Sequence, residues 1–253
     1  FWFWIDNLMI YLNLKNIIYL FLFANFFQML PVFFYLKRPK WFNFNHFLKL
    51  ITSSKFLFFK EFSDALMMRS NIFILTAYSS FGFTSESEIA YFSAAFTFCM
   101  VLPIIVNSFI KVALPEALLN DDFIFNFNNN LKKLIKPIIL IMFMGSILIP
   151  VLIYLLFGEK YYESIPLIPV IIIAISFSFY AKIYCLPLYK KKFSKRLYSI
   201  LSKQLLTDII ASIILTYHFG AIGAAFAILI SRILGFILST IEFNKYKNIS
   251  LKL

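Results

Sequence analysis

Six ionisable side chains fall inside long apolar runs of this sequence: the cations Arg69, Lys111, Lys182 and Arg232, and the acids Asp64 and Asp208. Near the centre of a bilayer each charge costs about 2.5–3.5 kcal/mol on insertion scales, so each needs a partner, a route to the surface or a task. Four cations against two acids suit a pocket for an anion better than one for a metal ion or a proton relay. Lys111 and Lys182 lie within about two turns of helix ends, where long stems can carry an ammonium to the interface. Arg69 stands about ten residues, or ~15 Å, from either end of its run, and Arg232 is similarly central.

The two acids decide which cation is free. Asp208 and Arg232 are equidistant from Gly220. A chain reversal at that glycine puts them at one depth and predicts a structural ion pair, which weakens the attraction of Arg232 for any other anion. Asp64 is five residues from Arg69, ~140° round a helix, and is better spaced for Lys60 at i,i+4. Arg69 is therefore the first candidate for an available positive charge, with Lys111, Lys182 and Arg232 as companions in substrate binding.

No catalytic constellation accompanies these charges. The only histidines, His46 and His218, lack cysteine or acidic neighbours at metal-ligand spacing. Cys99 and Cys185 lie in apolar runs without a CxxC partner and read as packed thiols. Phosphate-binding glycine loops and nucleophile elbows are absent from the sequence. The chain reads as a non-enzyme without metal or cofactor.

The elements that carry the charges are membrane helices. The chain is 61% hydrophobic over 253 residues, against roughly 45–50% in a soluble domain. A span needs about 20 apolar residues. The sequence predicts an all-α polytopic membrane protein with about seven full transmembrane helices plus one partial. The partial one is Phe1 to Leu12; the full ones are Asn16 to Leu36, Phe56 to Ser80, Ile89 to Leu114, Leu134 to Phe157, Ile165 to Leu188, Ile200 to Tyr217 and Ala221 to Phe243. The 34 phenylalanines reflect a codon bias toward A and T, and they suit lipid-facing positions.

A net charge of +12 would suggest nucleic acid in a soluble chain, but here the cations mark topology instead. Lys37, Arg38, Lys40, Lys49, Lys55 and Lys60 gather at one connection, Lys132, Lys133 and Lys136 at the next alternate one, and Lys190 to Lys203 at the next. Lys245, Lys247 and Lys252 close the chain. The opposite connections carry Lys15 and Lys160 beside Glu86, Glu88, Glu159 and Glu163. The alternation predicts a cytoplasmic C-terminus and outer turns at Asn13, Ser85, Glu159 and His218.

The last two spans show a packing device. Gly223, Ala227, Ser231 and Gly235 are four apart, and Gly220 with Ala224 adds a second small pair. Such a face lets two membrane helices approach closely. Residues 1–37 read as the end of a first helical lobe, 38–55 as a cytoplasmic amphipathic connection, 56–243 as a second six-helix lobe and 244–253 as a cytoplasmic tail. The start at Phe1, inside an apolar run, suggests a piece of a longer chain.

Three stretches carry a resemblance. Tyr91-Phe-Ser-Ala-Ala-Phe96 is followed by Leu102-Pro-Ile-Ile and Ala113-Leu-Pro115; Phe157-Gly-Glu-Lys-Tyr-Tyr-Glu-Ser-Ile-Pro-Leu167 follows; then Phe219-Gly-Ala-Ile-Gly-Ala-Ala-Phe-Ala227. In this order they resemble the polysaccharide repeat-unit (O-antigen, Wzx-type) flippase family of the multidrug/oligosaccharidyl-lipid/polysaccharide exporter superfamily, in its C-terminal portion. The resemblance implies a two-lobe transporter fold in the bacterial cytoplasmic (inner) membrane. It implies movement of polyprenyl-pyrophosphate-linked oligosaccharide between leaflets by alternating access, with membrane lipids and polysaccharide assembly proteins as further partners. A cation-coupled drug antiporter of the same superfamily would use Asp64 and Asp208. A membrane oligosaccharide polymerase would carry a large outer loop, and every outer connection here is short. Export of a lipid-linked cell-wall precursor fits the same residues.

Overall fold

The computed structural model describes residues 44–119, 127–189 and 194–250. The chain divides between Thr52 and Ser53 into two units, and the elements that bear on the site belong to the second, Ser53–Leu253. The described residues contain no strand, and the protein is an all-α membrane protein. Its helices are α1 (Phe44–Ser80), α2 (Glu86–Cys99), α3 (Val101–Leu119), α4 (Phe127–Phe157), α5 (Leu167–Cys185) and α6 (Ser194–Ser250). Short 3-10 turns at Glu159–Ser164 and Leu186–Tyr189 follow α4 and α5.

Among the described residues four stretches are long and apolar enough to cross a membrane: Glu86–Val112, Ile135–Phe157, Leu167–Tyr189 and Lys195–Lys247. They coincide with the spans expected from 89, 134 and 165 onward and with the final pair. The expected span from Phe56 lies in α1 but is not among the four; α1 carries Lys60, Glu61, Asp64 and Arg69. α1 also starts at Phe44, twelve residues before the predicted boundary (56 − 44). The partial span from Phe1, the span from Asn16 and the start of the amphipathic connection lie outside the described residues.

The span predicted from Ile89 is two helices rather than one. Pro103 has no N–H for the carbonyl of Cys99 four residues earlier, and its ring crowds that carbonyl. The chain steps at Met100, whose N–H still reaches Phe96 O at 3.0 Å and Thr97 O at 3.2 Å. Pro115, Pro137 and Pro150 stay within continuous helices.

α6 folds back on itself at Gly220, whose φ of 55° and ψ of −132° lie in a region that L side chains rarely adopt. Its legs, 194–219 and 221–250, touch along their length. Ser231 reaches Asp208 at 2.9 Å and Arg196 reaches Glu242 at 3.4 Å. A straight helix would separate each pair by more than 30 Å at ~1.5 Å per residue. The small residues do what their spacing predicts: a Cβ on Gly223 would lie 2.0 Å from the Leu215 carbonyl oxygen, and one on Gly235 2.5 Å from Gln204 Oε1. Ala224, Ala227 and Ser231 are fully buried.

The molecule is apolar outside as well as inside. On α4 the exposed face presents Ile139, Leu140, Phe143, Ile147, Leu148 and Leu155, as lipid requires of a surface with no water to hide from. Phe92, Phe179, Leu75, Ile153, Leu167 and Ile171 fill the centre. Both cysteines are free and buried, as their apolar contexts predict.

The connections sort by end. Glu88 Oε2 accepts from the Ala221 N–H at 2.8 Å, Tyr217 packs on Tyr78 and Phe83, and Tyr91 on Tyr161. The turns near 82, 160 and 220 thus share one end, which carries Glu86, Glu88, Glu159 and Glu163. At the other end Phe59 packs on Tyr198, Lys60 stands over the Tyr189 ring, and Arg196 meets Glu242.

Candidate functional site

Depth along a helix and direction around it are separate coordinates, and the second one assembles the site. Arg232 lies twelve residues past the turn, ~18 Å down the second leg of α6. One residue rotates a helix by ~100°, so Ser231 and Arg232 cannot both face the first leg. Ser231 does, and its hydroxyl donates to Asp208 Oδ1. Arg232 turns instead toward α1, where its Nη1 stands 3.9 Å from Asp64 Oδ1.

The structural ion pair expected between Asp208 and Arg232 is therefore replaced by Asp64 and Arg232. Asp208 is satisfied elsewhere. Oδ2 accepts from the Ser70 hydroxyl at 2.7 Å and from Asn71 Nδ2 at 3.1 Å, while Oδ1 takes the Ser231 bond. Asn71 Oδ1 in turn accepts from Ser212. This buried network spends its acceptors on neutral donors and ties α1 to both legs of α6. Asp208 itself is only 2% exposed.

Arg232 and Asp64 line a narrow cleft, with about 30 Å³ of room for water, between α1, α2, α3, α5 and the second leg of α6. Lys182 of α5 enters the same cleft and donates to Asn107 Oδ1 of α3 at 3.0 Å. Its remaining walls are apolar, including Met67, Phe96, Val106, Ile175 and Phe179. A second cleft shares Asp64, Ser178, Lys182 and Arg232 with the first and extends past Lys60 and Tyr189 toward the basic end. The four shared residues form the polar wall between the two spaces.

The charge balance of that wall is two cations to one acid. Asp64 and Arg232 have side chains only 17% and 12% exposed, so water screens them weakly. At 3.9 Å their contact is longer than the ~2.7–2.9 Å of a charge-assisted hydrogen bond. The pair is loose, and Lys182 leans on a neutral amide. Arg232 is thus held by one long ionic contact and Lys182 by one hydrogen bond to an uncharged acceptor.

The other sequence candidates lie elsewhere. Arg69 is exposed and shares a stripe of α1 with Phe62, Leu66 and Phe73, pointing away from the cleft that Asp64 and Met67 line. Lys111 is exposed on α3. Gly220, Gly223, Ala227, Ser231 and Gly235 serve the hairpin. Sequence reasoning missed Asn107, Asn71 and Glu88. Glu88 was counted only as an outer-loop acid, yet it caps the first free N–H of the second leg, where a carboxylate also meets the positive end of the helix dipole. Among the described residues no group of three or more His, Cys, Asp or Glu could hold a metal ion.

Comparison of the chain with protein-family models, curated proteins and solved structures finds no match.

Proposed function

We propose that the chain is the C-terminal lobe of an exporter that carries a lipid-linked, pyrophosphate-bearing oligosaccharide across the bacterial cytoplasmic membrane. The observation that carries this reading is the meeting of Lys182 and Arg232 in one cleft with apolar walls. A pyrophosphate crossing ~30 Å of hydrocarbon needs cations on the way, because an unpaired anion in an apolar medium is prohibitively costly. Two cations held by a loose pair and a neutral amide meet that need. The apolar walls suit the lipid side of the same cargo.

The resemblance of three stretches to repeat-unit flippases supports the cargo class, and the separation of acidic and basic ends supports a cytoplasmic C-terminus. In this reading Lys182 and Arg232 contact the phosphates, while Asp64 holds Arg232 between transport cycles. Arg69 and Lys111 fall outside the contact set.

The test is binding of undecaprenyl pyrophosphate to the purified chain in detergent. Arg232→Gln and Lys182→Gln each weaken binding by about 10–150-fold, the equivalent of losing one hydrogen bond to a charged group at ~1.5–3 kcal/mol. Arg69→Gln stays within about twofold. Equal binding of undecaprenol, which has no phosphate, would refute the reading, as would an unchanged affinity in both cleft variants.

A further inference from the structure

The two legs of α6 enclose a second charged feature, which meets the second cleft only at Ile200 and is independent of the transport reading. A groove of about 770 Å³ opens between them, lined by Arg196, Lys203, Glu242 and Lys245 around a floor of Ile200, Leu238 and Ile241. Counted from the turn at Gly220, Lys203 lies ~26 Å down its leg, Arg196 ~36 Å and Lys245 ~38 Å. The floor residues lie at ~27–32 Å. With the turn at one face of a ~30 Å hydrocarbon core, the groove straddles the opposite face. Its apolar floor sits where acyl chains end, Arg196 and Lys245 lie beyond it where headgroups begin, and Lys203 stands at its inner edge, from which a long stem can carry the ammonium outward.

The charges are unevenly satisfied. Glu242 accepts from Arg196 at 3.4 Å and from Lys245 at 2.8 Å. Lys203 has no carboxylate within 4 Å among the described residues, and it is exposed. Among the described lining residues, three cations and one acid give a net charge of +2 (3 − 1). Basic pockets between helices at this depth attract anionic phospholipid headgroups.

We infer that this groove is a binding site for an anionic phospholipid, whose phosphodiester sits between Lys203 and Arg196 with its first acyl carbons on Ile200 and Leu238. Occupation would tie the open ends of the hairpin together, since the two legs supply opposite walls.

The full chain in neutral detergent is titrated with dioctanoyl phosphatidylglycerol or dioctanoyl phosphatidylcholine, and bound lipid is counted by native mass spectrometry. Phosphatidylglycerol binds more tightly. Lys203→Gln weakens it about fivefold, the usual effect of one interfacial cation. Glu242→Gln strengthens it by a similar factor, because it removes the one acid among the described lining residues; a purely structural Glu242 would instead weaken it. Lys195→Gln, one residue outside the groove, has little effect. The inference falls if Lys203→Gln leaves the affinity unchanged, if Lys195→Gln matches it, or if inorganic phosphate displaces the lipid at equal concentration. If Lys203→Gln does not fold, Lys245→Gln provides the same comparison.

Discussion

Replacing Asp64 with Asn tests whether the carboxylate restrains Arg232 or merely accompanies it. The two charges stand 3.9 Å apart with little solvent access. At an effective dielectric of 20 their attraction is about 4 kcal/mol, the ceiling for the pair. Desolvation offsets much of it, and the loose geometry forgoes a short hydrogen bond, so a coupling energy of about 1–3 kcal/mol is expected. The assay is a double-mutant cycle of Asp64→Asn and Arg232→Gln, followed by thermal unfolding in detergent. Asp64→Asn alone leaves a cation without its counter-charge and lowers the midpoint by several degrees. The double variant recovers most of that loss. Pyrophosphate binding moves the other way: Asp64→Asn removes the internal competitor for Arg232 and tightens binding about tenfold, or ~1.4 kcal/mol. A coupling below about 0.5 kcal/mol, or weaker binding in a folded Asp64→Asn protein, would refute the reasoning.

Other consequences are accessible to the same unfolding measurement. Glu88→Ala removes the cap on Ala221 and lowers stability by about 1 kcal/mol, and Glu88→Gln, which keeps an acceptor, by less. Gly223→Ala drives a methyl against the Leu215 carbonyl and separates the legs, which prevents a stable fold. Gly82→Ala meets no atom within 4 Å but must hold φ at +78°, so it lowers stability by only about 1 kcal/mol. Single cysteines at Ser85 and His218, in a background without Cys99 and Cys185, react with a membrane-impermeant thiol reagent from one side of the membrane, and one at Lys245 reacts from the other. Labelling of all three from one side would contradict the topology.

The helices and the final hairpin were legible because their signals are local. Apolar runs mark spans, and Gly220 with the ladder of small residues marks a close reversal. Depth was legible too, since it is a count of residues from a turn; Arg232, Asp208 and Ser231 all lie near the depth expected. Direction around the helix was not. The difference between a bond from Ser231 to Asp208 and an ion pair from Arg232 to Asp208 is one residue, or ~100°, and a single sequence does not fix the phase of one leg against the other. The direction of Arg69 was hidden for the same reason: central in depth, it occupies the exposed stripe of α1 with Phe62 and Phe73, outside the cleft. The caps and amides were hidden differently. Glu88 meets Ala221 across 133 positions (221 − 88), and nothing within a window of either residue announces the other. The break at Met100 falls where Pro103 has no N–H for Cys99, but Pro137 and Pro150 lack the same bond inside a continuous helix, so proline alone does not mark it.

The mirror relation between the legs of α6 also limits how this chain can change length. Contacts such as Asp208 with Ser231, Gln204 with Gly235 and Arg196 with Glu242 join positions whose numbers sum to 438 or 439. One residue inserted between Gly220 and Ser231 would carry every later position ~100° round and ~1.5 Å along its leg. Ser231 would leave Asp208, and Arg232 would leave the cleft for another face of the leg. An insertion or deletion in this interval is tolerable only in steps of three or four residues, close to a whole helical turn, and a paired change in the other leg would be needed to restore depth.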